Sequence, residues 1–289
     1  MKKLKVPTKR GVLLDGVLFT AGESGSSGSA DTVMIAITGI HGNFYSNPFY
    51  YNIGNTLNSG GIDFIYAQTN DAFGQIETLN VRRGEPEMIG SWNERFAYTD
   101  DDIDAYLSYA EKLGYKHIIL AGHSLGANKV IYYLSRHHDE RVEKFIFLSP
   151  ANLTHMMNGV TEHEKDYIRS EVEKGRGDRL LPFYFMGWVQ CIAYTAYDWI
   201  SGTLNNVHVE HDGDFSQAEK ITHTGALLIG TLDRFTYGDP SGFLRNINDH
   251  IPTAEQNKLI FIEGTGHTYQ QKEQQLSMIL LETLKEWGY

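Results

Sequence analysis

The chain has 289 residues, of which 41% are hydrophobic, which is enough for one large core of the size common among single-domain α/β proteins. Its formal net charge of -11 argues against nucleic acids and anionic membranes as partners, because phosphate binding requires clustered lysine and arginine side chains. The single cysteine, Cys191, excludes an intrachain disulfide, and no apolar run approaches the length of about 18 residues that a membrane span requires.

The N-terminal region predicts a cytoplasmic protein. Its first residues, MKKLKVPTKRGVLLDG, include basic side chains but lack the apolar h-region of a signal peptide. The single cysteine also fits a reducing compartment. A stretch rich in glycine and serine follows at residues 21–32, and we expect it to be a flexible connection between two early strands.

Strand patterns and helix patterns alternate through most of the chain. Short apolar runs indicate buried strands, and apolar residues at helical spacing indicate amphipathic helices. Gly114 follows one of the helical patterns directly, as glycine often does where a helix ends. The alternation predicts an α/β fold with a mostly parallel sheet covered by helices on both faces. The predicted strands are residues 33–38, 62–68, 117–122, 142–150, 225–230 and 258–264, and the predicted helices are residues 47–60, 100–114, 126–138 and 273–288.

One interval, between Pro150 and Thr224, lacks a clear strand pattern. Helical spacing in TEHEKDYIRSEVEKG is followed there by an aromatic run, LPFYFMGWVQCIAYTAYDWI. We interpret residues 153–222 as a helical, aromatic-rich cap over one end of the sheet. The α/β core would then consist of residues 1–152 and 223–289.

The aromatic residues of this interval are candidates for substrate binding. Tyr184, Trp188 and Trp199 are expected to line an apolar pocket above the sheet. The alternative is that aromatic side chains only pack the cap onto the sheet, and we expect this of about half of them.

Ser124 lies in LAGHSLGANKVIYY, between an apolar strand pattern and a helical one. A strand, a sharp turn and a helix expose the turn residue at the carboxyl edge of a parallel sheet, where α/β proteins bind their ligands. Gly122 and Gly126 supply the small residues that such a crowded turn needs. A chance Gly-x-Ser-x-Gly string is the alternative, but the flanking strand and helix are the context that the motif requires. Ser124 is therefore the predicted nucleophile.

A serine nucleophile needs a base and an orienting carboxylate. His267 follows the last apolar strand, in a loop with glycine just before the final helix, and is the predicted base. Asp233 follows the preceding strand and is the preferred acid, which gives the chain order Ser, Asp, His of α/β hydrolases. Asp239, in an apparent Asp-Pro-Ser-Gly turn, and Glu263, close to His267 in sequence, are the weaker alternatives.

Two backbone N–H groups are expected to stabilise the oxyanion of the tetrahedral intermediate. One is that of Leu125, the residue after the nucleophile. The other is expected from the loop after the strand at residues 33–38, at Asn43 or, with less support, at Gly42. His41 in the same loop is expected to hold it by hydrogen bonds and to lie beside the substrate.

No metal or cofactor is predicted. The paired histidines His208 and His211, and His137 and His138, lack supporting ligands at a recognised metal-binding spacing. We interpret both pairs as surface or cap residues. The predicted partner is a small-molecule ester, and the sequence does not indicate an oligomeric state.

The strand followed by His-Gly-Asn, the GHSLG turn, the late Asp and the late His resemble the α/β-hydrolase superfamily over nearly the whole chain. A narrower resemblance runs from GSWNERFAYTDDD through GHSLGANKVIYYLS to FIFLSPANL. This region is similar to a group of serine esterases related to fungal siderophore-ester hydrolases. Bacterial macrolide-ring esterases are similar in size and layout. The resemblance implies cleavage of a carboxylic ester or lactone in a bulky, partly apolar substrate, without a cofactor.

Two functions of different classes are compatible with these observations. The first is a serine esterase that works through an acyl-enzyme intermediate. The second is a ligand-binding protein that keeps the hydrolase fold without useful turnover, but such a protein would be expected to have lost a member of the triad. Among enzymes, thioesterase, amidase and carbon–carbon hydrolase remain open, because one triad serves each of these reactions.

Overall fold

The computed structural model describes residues 1–20 and 30–289 and contains a central sheet of eight strands. In the order in which they lie side by side, the strands are β1 Lys2–Pro7, β2 Leu13–Phe19, β4 Asp63–Ala67, β3 Thr32–Ile37, β7 His117–His123, β8 Val142–Leu148, β9 Thr224–Gly230 and β10 Lys258–Ile262. Neighbouring strands from β4 to β10 pair in parallel, whereas β2 is antiparallel to both β1 and β4. Most of the predicted flexible connection, residues 21–29, lies outside the described residues.

Helices cover both faces of the sheet, because each central strand is apolar on both sides. In β3, Val33, Ile35 and Ile37 belong to one core. Met34 and Ala36, which alternate with them, belong to the other. The first core also contains side chains of α2 Thr99–Leu113, α3 Leu125–Arg136 and α7 Pro240–Asp249, and the second contains side chains of α1 Phe49–Ser59 and α8 Glu273–Glu286.

The strand order changes direction at β3, and this point positions the site. The chain passes from β3 to its neighbour β4 on one side and later returns to β7 on the other. The loops that follow β3 and β7 therefore leave the sheet beside each other at its carboxyl edge. Parallel α/β sheets bind ligands at such a reversal.

The segment between β8 and β9 contains no strand of the sheet among its described residues. It holds α4 Leu153–Met156, α5 Glu162–Glu173 and α6 Ala193–Ile200. Thr161 begins α5 with a capping box, since its side chain accepts from the N–H of Glu164 and the Glu164 carboxylate accepts from the N–H of Thr161. The aromatic run before α6 forms turns closed by isolated bridges rather than a helix.

A third core joins this segment to the sheet edge. Leu125, directly after the predicted nucleophile, packs in it together with Phe96 and Trp199. Asp198 of α6 accepts two hydrogen bonds from the Arg95 guanidinium, at 2.9 and 3.1 Å, and one from the N–H of Phe96 at 3.0 Å. The segment thus packs against the site, and its status as a separate cap remains a prediction.

Several features, including strand β1, were not predicted from the sequence. Strands β5 Ile76–Asn80 and β6 Glu85–Ile89 form an antiparallel hairpin outside the main sheet. Helix α7 begins where a simple turn was expected. The Asp239 side chain accepts from the N–H of Gly242, and Pro240 occupies the first helical position, so the apparent turn is the start of a helix.

None of the helices in the described parts of the chain combines the length and the apolar character needed to cross a membrane.

Candidate active site

Ser124 is the single residue between β7, which ends at His123, and α3, which begins at Leu125. Its backbone has φ +55° and ψ -128°, a strained conformation for a residue with a side chain. A Cβ on Gly122 would lie 2.3 Å from the carbonyl oxygen of Gly126, and a Cβ on Gly126 would lie 2.3 Å from that of Ile37. The two glycines are therefore required by close backbone contacts, which agrees with the predicted role of each.

Ser124, His267 and Asp233 form a continuous hydrogen-bonded chain. His267 Nε2 lies 2.8 Å from Ser124 Oγ, and His267 Nδ1 lies 2.8 Å from Asp233 Oδ2. A carboxylate can only accept at Nδ1, so the neutral imidazole carries its proton there and accepts the Ser124 hydroxyl proton at Nε2. The arrangement can make the Ser124 oxygen nucleophilic.

The buried Asp233 carboxylate is held in its charged form. Burial alone would raise its pKa, but hydrogen bonding and charge interaction with His267 outweigh burial and lower the pKa below its ordinary value. The N–H of Phe235 donates a further hydrogen bond to Asp233 at 3.0 Å. The Phe235 ring also stands edge-on to His267, with 4.5 Å between ring centroids.

The two alternative acids lie elsewhere. Asp239 is exposed and caps α7 through the N–H of Gly242. Glu263 is exposed at the end of β10 and accepts from Thr231 Oγ1 at 3.3 Å. Neither carboxylate has a recorded contact with His267.

His123 is a site residue that the sequence reasoning missed. Its Nε2 lies 2.8 Å from the backbone carbonyl oxygen of His267, and since a carbonyl can only accept, Nε2 is the donor. The side chain is buried against Phe49 and Tyr269. Burial, and secondarily the charge of His267, lower the pKa of His123 to about 3, so it remains neutral. The available signal was its position next to the nucleophile at the end of a buried strand.

In the loop after β3, some of the backbone N–H groups already have hydrogen-bond partners. The N–H of Asn43 points to Ser46 Oγ at 3.1 Å, which closes a local turn. Gly39 lies close to the nucleophile, because a Cβ built on it would be 3.0 Å from Ser124 Cβ and 3.5 Å from the nitrogen of Leu125. The N–H groups of Gly39 and Ile40 have no hydrogen-bond partner in the described parts of the chain. The N–H of Gly42 is bound to the carbonyl of Gly39 at 2.9 Å, so the N–H groups of Asn43 and Gly42 are both engaged within the loop.

The side chains of His41 and Trp188 are in contact and border one cavity. Their rings stand edge-on with 5.2 Å between centroids. Partial burial lowers the pKa of His41, and the charge of Asp71 offsets this only in part, so the ring is neutral near pH 7. The two side chains border a cavity of about 250 Å³ with a lining that carries no formal charge. Its lining residues are His41, Gly74, Gln75, Ser91, Trp92, Leu180, Trp188 and Gln190.

The other two predicted aromatic residues have different positions. Tyr184 is 60% exposed and borders a shallower cavity beside Phe183. Trp199 is 3% exposed and packs against Phe96 and Phe185 inside the third core. Trp199 therefore supports the packing of the segment and does not border the cavity beside His41 and Trp188.

The histidine pairs have ordinary polar contacts. His138 Nδ1 lies 2.5 Å from Thr222 Oγ1, His137 pairs with Asp100, and His208 lies beside the carbonyl of Asp214. Within residues 1–20 and 30–289, no three His, Cys, Asp or Glu side chains cluster closely enough to hold a metal ion.

Several solved structures share the whole architecture. Est1E from Butyrivibrio proteoclasticus is 17% identical, with 99% of this chain and 98% of that chain covered at a TM-score of 0.62. The α/β hydrolase GrgF from Penicillium sp. sh18 is 15% identical, with 99% and 98% covered at 0.66. The Pyrococcus furiosus esterase Pf2001 is 15% identical, with 99% and 92% covered at 0.59. At such identities the likeness concerns the fold, and it confirms the predicted α/β-hydrolase fold.

Comparison by sequence yields less. A family model described as "Protein of unknown function (DUF1749)" matches residues 16–225, which run from within β2 to the start of β9 and include the GHSLG turn. No curated protein sequence matches the chain.

Proposed function

The chain belongs to the DUF1749 family, and we propose that it is a serine hydrolase that cleaves a carboxylic ester or lactone through an acyl-enzyme intermediate. The observation that carries the proposal is the hydrogen-bonded chain from Asp233 through His267 to Ser124, with both distances at 2.8 Å. Esterases and other hydrolases among the structures of the same fold lend support at the level of the fold.

In the acylation step, Ser124 Oγ attacks the carbonyl carbon while its proton moves to His267 Nε2. The Asp233 carboxylate, already hydrogen-bonded to Nδ1, stabilises the imidazolium that forms. The carbonyl electron pair moves onto oxygen, which accepts from the N–H of Leu125 and from an N–H of Gly39 or Ile40. Each such donor contributes about 10²- to 10³-fold to kcat in serine hydrolases.

When the tetrahedral intermediate collapses, the bond from the carbonyl carbon to the leaving oxygen breaks, and His267 returns its proton to that oxygen. Water then attacks the acyl-enzyme. His267 takes a proton from this water, the acid is released, and Ser124 regains its hydroxyl hydrogen. The cycle requires no cofactor.

For the substrate, we propose a medium-to-large, partly apolar ester, of which a macrolide or a siderophore-type ester is an example. The support is the uncharged cavity of about 250 Å³ beside His41 and Trp188, together with the sequence resemblance around the GHSLG turn. A cytoplasmic location is part of this proposal, and it rests on the single, buried Cys191.

The acyl-enzyme itself tests the reaction class. Wild-type protein is mixed with 4-nitrophenyl butanoate, and intact mass spectrometry follows the added butanoyl group while absorbance follows nitrophenolate. We expect a burst and a transient mass increase in the wild type, neither in Ser124→Ala, and both in Ser216→Ala, which removes an exposed hydroxyl elsewhere. If the wild type bound the ester without acylation, the protein would be a ligand-binding member of the fold.

A panel of bulky esters, lactones, thioesters and amides then separates the remaining reaction classes. Products are identified by mass spectrometry. Preferred turnover of thioesters or amides over oxygen esters would replace the esterase proposal by the corresponding hydrolase, since the triad serves all three.

A further inference from the structure

A second cavity, of about 370 Å³, opens beside His267. It is formed by the loops that follow β9 and β10, the same loops that carry Asp233 and His267. None of the residues of the His41 and Trp188 cavity borders it. Its lining residues are Leu232, Arg234, Gly266, His267, Thr268 and Gln270.

Arg234 brings a positive charge to this cavity that no carboxylate neutralises within the described residues. Its guanidinium lies 5.3 Å from the ring centroid of Phe235 and takes part in no recorded ion pair. The three carboxylates of these loops are engaged elsewhere: Asp233 with His267, Glu263 with Thr231, and Asp239 with the N–H of Gly242 at the start of α7. The guanidinium donors thus remain available to a ligand.

Two further polar side chains border the cavity without a protein partner in the described chain, namely Thr268 and Gln270. The loop that holds them is itself fixed, because Thr265 Oγ1 donates to the carbonyl of Gln270 at 3.0 Å. The cavity therefore has a guanidinium from the loop after β9 and a hydroxyl and an amide from the loop after β10. One apolar side chain, Leu232, lies beside them.

A larger cavity, of about 600 Å³, provides a contrast. There Lys9 and Arg141 pair with Asp104, and Arg10 pairs with Asp101. Most of its cationic side chains are already neutralised, and no triad residue borders it. Arg82 is an exception, because it forms no ion pair within residues 1–20 and 30–289. It is therefore a matched control for Arg234.

The position of the second cavity relates it to one part of the ester, an argument that rests on the proposed function. His267 must return its proton to the leaving oxygen, so that oxygen lies within hydrogen-bond reach of Nε2. Atoms attached to the leaving oxygen are then close to the His267 side of the site. The alcohol portion, rather than the acyl portion, is the part that can enter this cavity.

We infer that this cavity binds a carboxylate carried by the alcohol portion of the ester, with Arg234 as the principal donor and Thr268 and Gln270 as supporting donors. A guanidinium presents parallel N–H groups that match the two oxygens of a carboxylate. The natural substrates would thus be esters of hydroxy acids, whose hydroxyl is acylated and whose carboxylate is free. This assigns Arg234 a role in specificity that the triad does not provide.

The experiment compares two esters that differ only in this charge. These are the butanoate esters of 4-hydroxyphenylacetate and of 4-hydroxyphenylacetamide, which share the acyl group and a phenolic leaving oxygen. We expect the wild type to have a kcat/KM about ten- to a hundredfold higher for the carboxylate ester, the range for a hydrogen bond to a charged group. Arg234→Gln should bring the ratio of the two values close to one, and Arg82→Gln should leave it unchanged.

Because the ratio compares two substrates on one protein, a loss of folded protein cancels from it. A wild-type ratio near or below one would overturn the inference, and so would a high ratio that persists in Arg234→Gln. High salt should reduce the wild-type ratio, since it screens the exposed guanidinium.

A binding measurement separates failure of this inference from failure of the esterase proposal. Calorimetric titration of 4-hydroxyphenylacetate and its amide is carried out on Ser124→Ala and on Ser124→Ala with Arg234→Gln. Tighter binding of the carboxylate that disappears with Arg234 supports the site even if neither ester is hydrolysed. Equal binding of both compounds to Ser124→Ala contradicts it.

Discussion

Lys129 Nζ lies 2.5 Å from Glu94 Oε1, and neither side chain is more than 3% exposed. Lys129, which lies on α3, also pairs with the buried Asp71 carboxylate at 2.9 Å. Its single ammonium group therefore contacts two acidic side chains. Burial, and then the charge of Asp71, raise the pKa of Glu94 to about 8 despite the attraction of Lys129. We therefore expect Glu94 to be mostly protonated at neutral pH.

This cluster makes stability depend on pH. A carboxyl whose pKa is raised by folding, here from 4.5 to about 8, stabilises the protein fully below the lower value and loses that contribution as pH rises through the higher one. We expect the free energy of unfolding to fall by roughly 2–3 kcal/mol more between pH 6 and pH 8.5 in the wild type than in Glu94→Gln. Urea unfolding at both pH values measures this.

The comparison with Glu94→Gln is needed because the buried Asp102, whose pKa burial raises to about 6, contributes to the slope in both proteins. Glu282→Gln, an exposed change on α8, should show the slope of the wild type. Parallel pH curves for the wild type and Glu94→Gln would mean that Glu94 is ionised throughout this range.

The acid of the triad can be identified by two matched substitutions. Asp233→Asn removes the carboxylate that holds His267 Nδ1, and we expect kcat to fall about 10⁴-fold, as in other serine hydrolases. Asp239→Asn affects only the start of α7 and should keep near-wild-type kcat, with stability changed by about 1 kcal/mol or less. The opposite ranking would assign the acid to Asp239.

His123 positions the catalytic loop through its Nε2–H. His123→Phe fills much of the same buried space but leaves the carbonyl of His267 without a donor, and we expect kcat to fall at least tenfold with KM little changed. His123→Gln places a donor near the position of Nε2 and should recover part of the loss. If both variants lost the same activity, side-chain packing rather than the hydrogen bond would explain the effect.

Gly39 tests the position of the oxyanion site. A methyl group there would meet Ser124 Cβ at 3.0 Å and the carbonyl oxygen of His123 at 3.1 Å, so Gly39→Ala must shift the loop away from the nucleophile. We expect kcat to fall about 10²-fold or more, because a displaced donor no longer reaches the oxyanion. Gly159→Ala, which meets no atom within 4 Å, should behave as the wild type. Retained kcat in Gly39→Ala would direct attention back to Asn43.

The two tryptophans are expected to separate recognition from stability. Trp188 is 47% exposed beside His41, so Trp188→Ala should raise KM for bulky esters and leave acylation by a very small activated ester nearly unchanged. Trp199 is buried, and Trp199→Ala should lower the free energy of unfolding by about 3–5 kcal/mol. Steady-state kinetics with a graded ester series and urea unfolding measure the two effects. Equal slowing of small and large esters in Trp188→Ala would contradict a role in substrate choice.

Local pattern was sufficient for the main features of the fold. Strand-like and helical segments alternate because buried parallel strands are apolar on both faces and their helices on one. Ser124 was identifiable because the close backbone contacts of its turn admit only glycine at positions 122 and 126. The Gly122 contact lies within this turn, whereas Gly126 meets Ile37 of the neighbouring strand β3. Both glycines nevertheless stand at fixed positions around the serine, so the pattern is visible in the sequence. By contrast, the sequence Asp-Pro-Ser-Gly that begins at Asp239 suits both a simple turn and the first turn of a helix. Local pattern alone does not distinguish these two structures.

The tertiary structure decided the contacts between distant segments. Ser124 and His267 are 143 positions apart, and only the strand order brings their loops to one edge of the sheet. At this edge His267 is hydrogen-bonded to Asp233 and not to Asp239. The sequence predicts Asn43 as a donor, but its N–H closes a turn with Ser46, and Gly39 of the same loop packs close to Ser124. Burial gives His123 and Glu94 their pKa shifts, and the junction of two loops gives Arg234 its cavity. The residue types were present in the sequence, but their chemistry depends on which atoms the folded chain places within a few ångströms of them.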